Sequence, residues 1–305
     1  MKTWRSVTAL SLALLVLLVV AGSCSTKKQI KADASSNRDR VIETGDTYVA
    51  LGDSNTSGPG LGTPTFVPGC QQTIGNYPHL LAEEMDLDLV DVSCGGAKTE
   101  NMTEEQTALG DKVPPQLDAI RKDTALVTLS IGGNDGDVYG SLVLNCVRLG
   151  AKDPTGAPCS DLARKHPTAL KKVFDGVTDA IVATVAAVLD KAPKARIVVI
   201  GYPQIIPADG ACAALPLGEG DYPFARGVME QFDKAQAEAA KEAKAEFLDM
   251  WTATEGHDIC SEDPWVAGVR PQEAGIAYHP YAAGQEAVVE ELQALVSAPG
   301  ASLGS

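Results

Sequence analysis

Three side chains in this sequence have the types and settings that acyl transfer requires. Ser54 follows Gly52-Asp53 at the end of a short apolar run, Tyr48-Val49-Ala50-Leu51. A serine hydroxyl is a weak nucleophile until a base within hydrogen-bond reach takes its proton, and histidine does this near neutral pH. His279, just before Pro280, is the candidate base. Attack on a carbonyl creates an oxyanion, which needs donors aimed at it. Asn134, in Gly133-Asn134-Asp135, offers a side-chain amide. The turn Cys94-Gly95-Gly96-Ala97 offers a backbone N–H beside a glycine. Each residue also has a plainer role: Ser54 or Asn134 as a helix cap, Gly96 as a turn former, His279 as a surface loop residue. Singly those roles are the stronger readings, and only the set points to catalysis.

The elements that must hold this set are legible from hydrophobic patterning. Residues 48–51, 88–92, 125–131, 196–200 and 246–250 are short, largely apolar runs, as expected of strands covered on both faces. Between them, residues 77–86, 169–190, 224–245 and 281–296 carry apolar residues at helical spacing, and Pro114-Pro115 opens a short helix. Strand and helix alternate, which predicts an α/β fold: a three-layer, doubly wound, mostly parallel sheet with helices on both faces. In such sheets ligands bind beyond the carboxyl ends of the strands, where Ser54, Gly96 and Asn134 all fall. The glycine- and proline-rich loop 57–69 is long for a strand-to-helix connection, a frequent mark of function.

Gly52-Asp53-Ser54 at the first strand, a glycine after the second, Gly133-Asn134-Asp135 after the third and His279-Pro280 before a terminal helix resemble, in that order, the SGNH hydrolases, or GDSL esterases/lipases. The resemblance covers residues 47–295 and extends to secreted actinobacterial lipases. It implies a flavodoxin-like sheet, Ser54 as nucleophile, His279 as base, and an oxyanion hole of the Ser54 N–H, the Gly96 N–H and the Asn134 side chain. The activity it implies is carboxylic-ester hydrolysis through an acyl-enzyme, on a lipid, a short acyl ester or an acylated sugar, with no cofactor and no metal. Acyl transfer on the same fold, or a non-catalytic envelope-binding lipoprotein, are the alternative functions. Two positions depart from the pattern. Ile276 replaces the aspartate that often precedes the histidine by three residues, and Tyr281 stands where asparagine is common. Without that aspartate, His279 must be oriented by one of Asp258, Glu262, Asp263 and Glu273, or by a backbone carbonyl; the expectation is a Ser54–His279 dyad oriented by the Ile276 carbonyl.

The N-terminus reads as an address. Lys2 and Arg5 precede an apolar stretch at 7–20, then Ala21-Gly22-Ser23 and Cys24. The small residues before Cys24 resemble a bacterial lipobox with Ala21 in place of the usual leucine. Export is expected, either lipid-anchored at the cell membrane through Cys24 or secreted. Residues 25–44 are polar and predict a flexible tether, 45–297 the hydrolase domain, and 298–305 a frayed tail. Of seven cysteines, six remain after Cys24: Cys70, Cys94, Cys146, Cys159, Cys212 and Cys260. An even number in an exported chain predicts disulfides, whose pairing the spacing does not choose. The resemblance implies Cys70–Cys94, Cys146–Cys159 and Cys212–Cys260. No Cys-x-x-Cys pair exists and histidines number four, which disfavours zinc. The net charge of -15 with no basic block disfavours nucleic acid and suits an acidic, soluble monomer.

Overall fold

The computed structural model describes residues 34–299. Its strands are β1 (Thr47–Gly52), β2 (Asp88–Asp91), β3 (Gln106–Ala108), β4 (Asp111–Val113), β5 (Leu126–Ser130), β6 (Arg196–Ile200) and β7 (Glu246–Leu248). Five of them form the central sheet, in the order β2-β1-β5-β6-β7. Every pairing in that sheet is parallel. The carboxyl ends therefore gather along one edge. Ser54 follows β1, the Cys94–Ala97 turn follows β2, and Asn134 follows β5.

The continuous apolar runs arise because alternate residues serve opposite faces. Val49, Leu51, Val127, Leu129, Ile197 and Val199 join one core cluster. Tyr48, Ala50, Leu126, Val198, Ile200 and Leu248 join the other. The first face is covered by helices Ala169–Lys191 and Tyr222–Ala243, which contribute Val177, Ile181, Val185, Val228 and Phe232. The second is covered by Tyr77–Met85 and Ala282–Val296, with Leu81, Val289 and Leu292. Each fully buried side chain of this kind contributes about 1.5–3 kcal/mol, so the sheet is a stiff base for its loops. No described helix is long and apolar enough to cross a membrane.

Several expectations are corrected. The second half of the supposed tether is bound to the domain. Ala34 N–H donates to Ala243 O at 3.1 Å and Ile42 N–H to Val296 O at 3.1 Å. The Arg38 guanidinium donates to Lys244 O at 3.0 Å and Ala245 O at 2.7 Å. Residue 298 is not loose either: Arg196, fully buried, donates to Ala298 O at 2.8 Å and to Arg40 O at 2.8 Å, and pairs with Glu246 through two contacts of 2.7 Å. The antiparallel β3–β4 hairpin is an addition to the expected elements. So is the helical run of Val138–Gly140, a wider-wound Ser141–Cys146 and Val147–Gly150. The three disulfides are Cys70–Cys94, Cys146–Cys159 and Cys212–Cys260, the pairs the resemblance implies. The Cys24 expectation lies outside the described residues.

Candidate active site

β1 ends in a forced turn. A Cβ on Gly52 would meet the Ser130 carbonyl at 2.8 Å, so the chain passes Ser130 only as glycine. The amide of Gln116 closes both backbone groups of Gly52, accepting its N–H and donating to its C=O at 2.8 Å each. Ser54 then opens the one-turn helix Ser54–Ser57. The cap of that helix is Asp53, whose carboxylate accepts the Asn55 N–H at 2.9 Å, so Ser54 is not a capping serine. Gln285 ties this turn to the last helix, donating to Asn55 O at 3.0 Å. The Ser54 N–H, at the first helical position, has no acceptor among the described residues.

A small cleft above the sheet is walled by Ser54, Asn134 and His279, with Tyr139, Tyr202 and Tyr278 around them. Three of the four candidate positions thus share one concavity. Gly96 does not wall it directly. Its turn joins through Ala97, whose carbonyl accepts Asn134 Nδ2 at 2.9 Å. Gly96 has φ +75°, a conformation that suits glycine, and its N–H has no acceptor among the described residues, whereas the Gly95 N–H is taken by Cys70 O at 2.8 Å. Asn134 makes no capping bond to the short helix it precedes. Besides Ala97, Nδ2 has among the described residues only Asp53 Oδ2 at 3.4 Å, a long contact that leaves donor capacity for a better acceptor.

His279 Nδ1 lies 2.9 Å from the Ala277 carbonyl. The acceptor is main chain, as expected, but it is Ala277 and not Ile276. The Ile276 carbonyl instead accepts the His279 backbone N–H at 3.3 Å. The cause is local: Tyr278 sits at φ +64°, which swings the chain by one residue relative to an extended path. None of the four acids reaches the ring. Asp258 caps the Cys260 N–H at 2.8 Å, Asp263 lies beside His257, and Glu262 and Glu273 are exposed. With Nδ1–H donating to Ala277, Nε2 keeps its lone pair. Burial holds the imidazole below its ordinary 6.5, so the ring is neutral at pH 7. The histidine segment is clamped against residues 265–267: Ala267 N–H donates to His279 O at 2.9 Å and Tyr281 N–H to Trp265 O at 2.8 Å.

Two tyrosines and an aspartate complete the cleft without having been singled out from sequence. Asp53 is buried and accepts from Asn55 and from the Tyr202 hydroxyl. Burial pushes its carboxyl up to about 7, against the lowering effect of those bonds. Burial also keeps the Tyr202 phenol well above its ordinary range, so it stays a donor. Tyr139 donates from its hydroxyl to the Tyr278 carbonyl, beside His279. The exit Gly201-Tyr202-Pro203 from β6 carried a signal for Tyr202. Nothing in the pattern around Tyr139 did.

Residues 50–287 match the model of the GDSL-like Lipase/Acylhydrolase family. The chain belongs to this family. Among curated relatives, "Lipase 2" of Streptomyces coelicolor is 36% identical over 253 residues, covering 80% of this chain and 83% of that one. Among solved structures, the phospholipase A1 of Streptomyces albidoflavus NA297 superposes with a TM-score of 0.66 at 29% identity, over 84% of this chain and 100% of that chain. The extracellular lipase of Streptomyces rimosus superposes with a TM-score of 0.67 at 28% identity, over 82% and 99%. This GDSL family member is a carboxylic-ester hydrolase.

Proposed function

We propose that the protein is an exported, serine-dependent esterase or lipase of the cell envelope that works through an acyl-enzyme. Ser54 Oγ attacks the ester carbonyl while His279 Nε2 takes its proton. The alcohol leaves with that proton, and water then deacylates Ser54 with His279 again as base. The Ser54 N–H, the Gly96 N–H and Asn134 Nδ2 receive the oxyanion in both steps. The observation that carries this reading is the convergence of Ser54, Asn134 and a neutral, main-chain-oriented His279 in one cleft. The disulfides support export, and Cys24 is the point at which two acyl chains would hold the enzyme on its membrane.

The test is a series of chromogenic esters of increasing chain length, given to the parent protein and to Ser54→Ala. Hydrolysis should disappear in the variant while its circular dichroism and melting stay unchanged. Near-parental turnover by Ser54→Ala would end the assignment.

A further inference from the structure

Two apolar side chains are more exposed than any other large apolar residue among the described residues. Phe66 is 101% exposed and Leu109 is 78% exposed. Both are held in place rather than hanging loose. Phe66 follows a pinned pair, in which Thr65 N–H donates to Gln72 O at 2.9 Å, and its loop ends at the Cys70–Cys94 bridge. Leu109 is the first residue of the two-residue turn joining β3 to β4, with φ +49° at Leu109 and +98° at Gly110. Such turns favour Asn, Asp or Gly at that position, because a left-handed backbone is strained with a Cβ. Here a leucine takes that conformation with no burial in return. The two segments that carry them meet three residues after Phe66 and one before Leu109: a Cβ on Gly69 would stand 3.1 Å from Cβ of Ala108. Both supports reach the oxyanion turn, since Gln106 Nε2 donates to Gly95 O at 2.8 Å and the Gly95 N–H donates to Cys70 O.

We propose that Phe66 and Leu109 form a two-pronged apolar tip that seats the enzyme on a zwitterionic lipid surface with the catalytic cleft alongside. The inference deepens the ester-hydrolase reading and rests on it for the purpose of docking. A stable protein partner would need roughly 1,000 Å² of complementary surface, which two isolated side chains do not supply. A fluid lipid surface instead closes around separate prongs and favours aromatic and aliphatic groups at headgroup depth. Charge selects among lipid surfaces. Glu104, Glu105 and Asp111 are exposed around the hairpin, Lys112 is paired to Glu105 at 2.6 Å, and the chain carries -15 overall. An anionic surface would repel this face.

The experiment uses the full chain with Ser54→Ala, so that lipid is not consumed. Phe66→Trp in that background should be quenched by brominated phosphatidylcholine vesicles beyond the quenching of the parent's own tryptophans, and less when a third of the lipid is phosphatidylglycerol. Separately, the double variant Phe66→Ser/Leu109→Ser, in a Cys24→Ala background that removes any acyl chain, should lose at least roughly tenfold in partitioning to phosphatidylcholine vesicles. With Ser54 intact, its turnover of a dissolved short-chain ester should stay within about twofold of parent, because the prongs touch no part of the cleft. Unchanged partitioning, no added quenching in Phe66→Trp, preference for phosphatidylglycerol, equal loss on the dissolved ester, or prong-dependent self-association without lipid would each overturn the proposal. Added quenching in Phe66→Trp, in a protein whose Ser54 form cleaves no ester, would leave the docking intact and remove the activity. Ester cleavage without added quenching in Phe66→Trp would do the reverse.

Discussion

Asp53→Asn isolates a buried carboxyl whose stability effect has a definite sign. The folded environment raises this group from 3.8 to about 7, chiefly by burial. A tenfold change in proton affinity is worth about 1.36 kcal/mol, so the ionised carboxylate costs the folded state ~4 kcal/mol relative to the unfolded chain. Below pH 3.8 both states hold the proton and the cost is absent. As pH rises from 3.8 towards 7 the folded state binds more protons than the unfolded one, so this group's contribution to stability falls; above about 7 the loss is complete. Asparagine has no proton to lose. It keeps a carbonyl for the Asn55 N–H and turns its amide towards Tyr202, whose hydroxyl can rotate to accept. The stability difference between variant and parent should therefore shift in the variant's favour by ~4 kcal/mol between about pH 4 and pH 8, whatever fixed offset the new amide introduces. Urea unfolding at four or five pH values, with the disulfides intact, measures it. Parallel stability curves across that range would show that Asp53 is not a proton-binding group of the native state.

If Asn134 is the proposed oxyanion donor, Asn134→Ala should lower kcat by ~10²–10³-fold with little change in melting, since its amide caps no helix; a loss below about threefold in single-turnover assays would remove Asn134 from the hole. Replacing Asp258, Glu262, Asp263 or Glu273 singly by its amide should leave kcat within a few-fold of parent, since none of them contacts His279; a ~10³–10⁴-fold loss in any one would reveal a triad acid. Activity should fall as pH drops through a value below 6.5, where His279 gains its proton and ceases to be a base, and should be flat above it. That acid limb should persist in Asp53→Asn; its disappearance would transfer the titration to Asp53.

The parallel strands and the four covering helices were readable because burial on both faces leaves an unbroken apolar run, and β6 begins and ends where the sequence placed it. The β3–β4 hairpin was not, because its strands are three residues each and its turn carries Leu109 where Asn or Gly would give the signal. Residues 34–44 looked like a tether from their polarity, yet Asn37 and Arg38 spend that polarity on backbone carbonyls of the domain. Composition does not distinguish a side chain facing water from one facing a carbonyl. The same limit explains the shift from Ile276 to Ala277. A main-chain acceptor follows from the missing aspartate, but which carbonyl turns inward depends on the left-handed backbone of Tyr278, and tyrosine gives no warning of that. Ser54, Gly96, Asn134 and His279 were visible because each interrupts a pattern at a strand end or before a helix. Tyr202 shares that kind of signal, in the exit from β6, whereas Tyr139 interrupts nothing.

Arg196 has a topological consequence. At the amino end of β6, its Nη1 atom is bound by the carbonyls of Arg40 and Ala298, one from each end of the described chain. The two ends of the domain therefore meet at a single nitrogen, on the opposite edge of the sheet from Ser54. A few flexible residues would suffice to join them. The chain could then be reopened at an exposed loop such as the Asp209–Gly210 segment, giving a circularly permuted enzyme with the same sheet order. For the same reason the domain can be inserted whole into a loop of another protein, entering and leaving by one doorway while its cleft faces away from the host.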